Sequence, residues 1–145
     1  MLVGGAGRDL FQIDYPIGTN RCDVIMDFAP VDDAILLNRG YFPELASGRA
    51  TKPTPDSGWV GDLLKLAEAQ PTGGLPSGAE ANVVPLDPAR FVVGSKASAA
   101  LAQVIYNPDT GSLDYDQDGT GPSLAVTIAI LPKEIDLRAT NLLIG

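Results

Sequence analysis

Three aspartates alternate ahead of a glycine as Asp114-x-Asp116-x-Asp118-Gly119, and Asp109 lies just upstream. At that spacing successive carboxylates turn inward on a hard cation, and the glycine permits the bend that closes them on it. Near the other end, Gly4 to Gln12 reads GGAGRDLFQ and fits the nonapeptide pattern G-G-x-G-x-D-x-U-x, with Phe11 as the large apolar U. Gly5 and Gly7 let backbone carbonyls face a cation, Asp9 adds a carboxylate, and Phe11 points into the core of a parallel β-roll. Asp27 and Asp33 lie across a Pro30-containing turn and are further candidate ligands. The metal these residue types suit is calcium. Each has a plainer alternative: a Gly-rich turn before a strand, or aspartates that cap turns and make Asx turns.

A full EF-hand is excluded, because its closing bidentate Glu would fall at Ala125 and no helix follows. The chain contains no His, so a His-based triad, an imidazole general base and a His-rich zinc site are all excluded. The lone Cys22 forms no internal disulfide and reads as an incidental thiol. Asp87-Pro88 reads as an extended X-Pro step into the strand Phe91-Val92-Val93. The chain therefore reads as no enzyme, with a paired-carboxylate hydrolase or self-cleaving module as a minor alternative.

The elements that position these aspartates are short. The 16 Gly and 12 Pro imply many turns, and 45% apolar against 19% charged residues is ordinary for a globular fold. Asp23 to Phe28 alternates as a strand, and Ala34 to Leu37 is a second. From Ala102, a strand enters the turn Asn107-Pro108-Asp109-Thr110-Gly111 and returns over Ser112 to Tyr115. A further turn through Asp116–Gly121 leads into an alternating run from Leu124 to Ile130, which makes a three-strand meander. Residues 46–88 are Pro- and Gly-rich and read as an insertion; it carries one short helix, N-capped by Asp62 and running through Ala69, with Trp59 in the same apolar patch. With 18 acidic against 10 basic residues the net charge is −8, which disfavours nucleic acid and favours cations. No cleavable N-terminal signal is expected from the opening MLVGGAGRD, and no run approaches the roughly 20 apolar residues of a membrane span, so stable membrane insertion is not expected either.

Taken in order, GGAGRDLF, DVIMDFAPVDDAILL, FVVGSKASAALAQVIYNPDTGSLDYDQDGTG and AVTIAIL resemble the C-terminal region of the RTX (hemolysin-type calcium-binding) bacterial exoproteins. The resemblance covers both ends of the chain and leaves out the middle. It implies a mainly β fold, the end of a parallel β-roll capped by an antiparallel β-sheet, with one short helix in an inserted loop. A single domain is expected, with 1–45 as roll end and first strands, 46–88 as insertion, and 89–145 as meander and secretion-signal tail. It further implies a secreted, non-catalytic, calcium-binding module whose C-terminal tail is read by a type I secretion exporter, and which folds when it meets calcium outside the cell. Met1 opening directly into a lone repeat reads as a piece of a longer exoprotein, with a natural start codon as the alternative. A structural or adhesive module, contacting a surface partner through 46–88, is the competing reading.

Overall fold

The computed structural model describes residues 1–19, 21–46 and 83–145. Glycines and prolines interrupt the apolar runs every few residues, so the described residues fold as short strands of at most five residues. In chain order these are β1 (Leu10–Ile13), β2 (Asp23–Val24), β3 (Ala34–Leu37), β4 (Val84–Pro85), β5 (Phe91–Val93), β6 (Gln103–Tyr106), β7 (Ser112–Asp116), β8 (Val126–Ile130) and β9 (Leu142–Ile144). One four-residue helix, α1 (Pro43–Ala46), accompanies them. The fold is mainly β, in two mixed sheets, and among the described residues neither sheet closes into a barrel.

The first sheet has the order β1-β3-β9-β4. β1, β3 and β9 run parallel, which places Phe11, Ile35 and Leu142 in one cross-strand row and Ile13, Leu37 and Ile144 in the next. All six face the core and are buried. β3 is buried on both faces, as parallel strands usually are: Ala34, Leu36 and Leu143 form a second small apolar cluster with Val83 on the opposite side. β4 pairs antiparallel with β9.

The second sheet has the order β2-β8-β7-β6-β5. Its centre is the antiparallel meander β6-β7-β8 that the alternating pattern predicts, with a register shift at Leu113/Asp114. β5 joins β6 in parallel, and β2 joins β8 in parallel. The β6–β7 turn needs Gly111: its φ is +78°, and a Cβ there would run into the Leu131 carbonyl, whose own N–H donates to the Gly111 oxygen at 2.8 Å. The two sheets share one apolar core. Phe42, just before α1, meets Tyr115 of β7 edge-on at 5.1 Å. Tyr15, just after β1, donates its hydroxyl to the Ile128 carbonyl of β8 at 2.5 Å.

Some expectations differ from what is found. The strand expected over Asp23 to Phe28 is only two residues long; Ile25 bridges Leu2 and is buried, while Met26 is 58% exposed. The chain bends at Met26-Asp27 because the Asp27 carboxylate is drawn onto the Gly4 and Gly5 amides. The strand expected from Leu124 starts at Val126, opposite Tyr115 where the pairing with β7 ends, which leaves Leu124 88% exposed. The expected helix from Asp62 through Ala69, with Trp59, lies outside the described residues. Among the described residues no helix is long and apolar enough to cross a membrane.

Candidate functional site

The glycine-rich turn before β1 is shaped by carboxylates from the following segment. Gly4 N–H donates to Asp27 Oδ1 at 3.0 Å and Gly5 N–H to Asp27 Oδ2 at 2.9 Å, so this one carboxylate spans two successive amides. Those bonds hold the Asp27 carboxyl below its ordinary value, the Gly5 amide contributing most. Gly5 has φ +92° and Gly7 +121°, conformations that turn the chain tightly enough for this contact. Gly4 is needed for a different reason: a Cβ there would lie 2.5 Å from Asp9 Oδ2, because the Asp9 carboxylate packs against the Gly4 backbone.

Asp33 does for the turn before β3 what Asp27 does for the first. It is 2% exposed; its Oδ1 accepts the Asp9 N–H at 3.1 Å and its Oδ2 accepts the Ala29 N–H at 2.8 Å. The Ala34 N–H in turn donates to the Asp9 carbonyl at 2.9 Å, which starts the β1/β3 ladder. Gly5, Asp9, Asp27 and Asp33 are thus brought into one connected set, with Gly7 in the same turn. Asp9 Oδ2 is buried without a hydrogen-bond partner.

The aspartates of the meander do not form one cluster. Asp114 stands apart on β7, accepting Thr127 Oγ1 at 2.6 Å across to β8 and Ser112 Oγ at 3.2 Å. Asp116 is buried and closes an Asx turn, its Oδ1 accepting the amides of Asp118 at 3.2 Å and Gly119 at 2.8 Å. Asp118 Oδ2 accepts the Ser123 N–H at 3.1 Å, which holds its carboxyl below the ordinary value, while its Oδ1 is buried without a partner. Asp116 also lines an open depression of about 450 Å³ with Lys96, Ile105, Thr120 and Leu124. Among the described residues no group of three or more His, Cys, Asp or Glu side chains converges as a metal-holding cluster.

The chain matches no family model, no curated protein and no solved structure. Carboxylates that accept two amides each act as anionic staples for turns, and the unpartnered oxygens of Asp9 and Asp118 are the acceptors left over.

Several organising residues were not anticipated. Gln103 is buried in β6; its Oε1 accepts the amides of Ser98 and Ala99 at 2.8 and 3.1 Å, and its Nε2 donates to the Ala89 carbonyl at 2.9 Å. The readable signal was a lone amide in the apolar run Ala102-Gln-Val-Ile-Tyr106. Tyr115, buried on β7, donates to Glu44 Oε2 at 3.1 Å and so docks α1; burial, then Glu44, pushes its phenol well above the ordinary value. Asp87 accepts the Ala89 amide at 2.9 Å and caps a 3-10 turn, Pro88–Arg90, that delivers the chain into β5.

Proposed function

We propose that the chain is a non-catalytic, calcium-responsive module of the RTX type: the end of a parallel β-roll capped by a mixed sheet, antiparallel at its centre with parallel edge strands where a wholly antiparallel one was expected, which supports type I secretion and gains stability from calcium outside the cell. The order of the Gly4–Gln12 nonapeptide, the Asp27/Asp33 segment and the acidic meander supports this reading. The observation that carries it is the pair of buried carboxylate oxygens, one on Asp9 and one on Asp118, that lack any donor. A buried acceptor without a partner calls for a water or an ion, and an oxygen-seeking cation is what a carboxylate best accommodates. The segment proposed as the exporter's signal includes β9, whose residues are buried. It is accordingly read before folding and becomes structure afterwards.

Circular dichroism and thermal melts of the full chain in millimolar calcium and in chelator test the proposal. A higher melting temperature in calcium is expected; identical melts overturn it. A second reading, a structural or adhesive module, is favoured by a specific observation: the carboxylates of Asp27, Asp33 and Asp116 are already engaged by backbone amides. Under it, calcium changes nothing, and binding to a surface partner is lost when 46–88 is deleted while folding persists.

A further inference from the structure

Segment 141–145 sits in the slot between β3 and β4, and among the described residues β4 pairs with no strand except β9. Without this segment the first sheet is two pieces. Its anchors are few and specific. Asn141, 2% exposed, donates from Nδ2 to the carbonyls of Pro30 at 2.7 Å and Asp33 at 3.2 Å, and accepts the Arg138 N–H at 3.0 Å. Gly145 N–H donates to the Leu37 carbonyl at 3.1 Å, Arg39 N–H to the Gly145 carbonyl at 2.8 Å, and Leu86 N–H to the Leu142 carbonyl at 2.8 Å.

Apart from the local Arg138–Asn141 bond, these contacts are long-range: Leu86 and Leu142 lie 56 positions apart, and the bonds of Asn141 to Asp33 and Pro30 span 108 and 111. The meander β6-β7-β8, by contrast, pairs strands that follow one another through short turns. Long-range closure carries the larger loop entropy and is the less supported by local structure. We infer that segment 141–145 is a clasp: it closes the first sheet as a unit that opens on its own while the meander stays folded, and Asn141 is the latch. The inference does not depend on calcium.

Native-state hydrogen exchange on the full chain tests it through amides whose partners are known. Arg39, Leu86 and Gly145 report the clasp; Asn107, which donates to the Ser112 carbonyl, and Leu131, which donates to Gly111, report the meander. Protection of the clasp amides is expected to be at least about tenfold lower, with a weaker denaturant dependence. Equal protection and equal denaturant dependence at all five overturn the inference. Asn141→Ala is expected to lower protection of the three clasp amides about tenfold and leave the other two unchanged. The same loss at all five, or none at the clasp amides, also overturns it; should that variant fail to fold, the comparison within the unaltered chain still decides.

Discussion

Replacing Asp33 separates an anchor of the fold from a ligand of a metal. The carboxylate is buried and accepts two backbone amides, Asp9 at 3.1 Å and Ala29 at 2.8 Å. Hydrogen bonds to a charged group contribute roughly 1.5–3 kcal/mol each, and removing the acceptor leaves two donors unpaired, so Asp33→Ala is expected to cost about 3–5 kcal/mol. That is a large fraction of the roughly 5–15 kcal/mol that holds an ordinary domain together. Asp33→Asn keeps one acceptor oxygen but presents an NH2 to the second amide, so its loss should be smaller yet still clear. The assay is urea denaturation in chelator and again in millimolar calcium, with the m-value checked for constancy. An amide anchor gives the same loss in both solutions. A loss below about 1 kcal/mol in chelator, with a larger one in calcium, refutes the amide account and makes Asp33 a ligand first.

Tyr15→Phe removes the hydroxyl that donates to Ile128 and accepts the Asp23 amide, for an expected loss of about 1–3 kcal/mol near neutral pH. Burial, then the Asp23 charge, pushes this phenol from 10.0 up to about 12. The folded state holds the proton more tightly, so the contribution is full below pH 10 and is lost as pH rises toward about 12. The stability difference between the two proteins, measured by urea denaturation at stepped pH, should therefore shrink across that window; a constant difference refutes the assignment. Asp27 has the opposite sign: its carboxyl is held below the ordinary value, so its contribution is present above the ordinary carboxylate range and is lost as pH falls through the lowered one. Asp27→Asn should flatten the acid limb of the stability profile, and an unchanged acid limb counts against the Gly4/Gly5 staple. Gly119→Ala places a methyl at φ +66° against the carbonyls of Ala99 and Leu101 and should destabilise by more than about 2 kcal/mol in a thermal or urea melt. A melt matching the unaltered chain would mean the loop repacks freely.

The parts of the fold legible in the sequence are those whose partners are near in sequence. Half-buried antiparallel strands carry a two-residue period, and the turn at Asn107–Gly111 carries Pro and Gly at the positions that need them, so the meander could be read directly. The strand Ala34–Leu37 was legible as a continuous apolar run after turn residues, and so was the strand Phe91–Val93, although the extended step expected from Asp87-Pro88 gives way to a 3-10 turn over Pro88–Arg90. The parallel pairing of β9 with β3 was not legible, because nothing in Leu142-Leu143-Ile144 names β3 as its neighbour. The aspartates show the limit most sharply. Spacing identifies them as oxygen ligands, but an amide and a cation both attract a carboxylate. Which one it meets depends on backbone torsions such as φ +92° at Gly5, which spacing does not encode.

The same competition sets how large a calcium response can be. Asp27, Asp33 and Asp116 already have amide partners, so the Gly-rich turn before β1, the turn before β3 and the Asp116–Gly119 turn are each held by backbone amides. An ion taking up the spare oxygen of Asp9 or of Asp118 adds stability to turns that backbone amides already shape. At a hundredfold excess over its dissociation constant, a ligand bound only by the folded state stabilises by about 2.7 kcal/mol, comparable to a single amide-anchored carboxylate. Under the proposed function, calcium is therefore expected to raise the melting temperature by several degrees while the circular dichroism spectrum at room temperature stays nearly the same. A chain that is unfolded in chelator and folds only on adding calcium would instead mean that the amide staples are too weak to hold the turns against the repulsion of a net charge of −8.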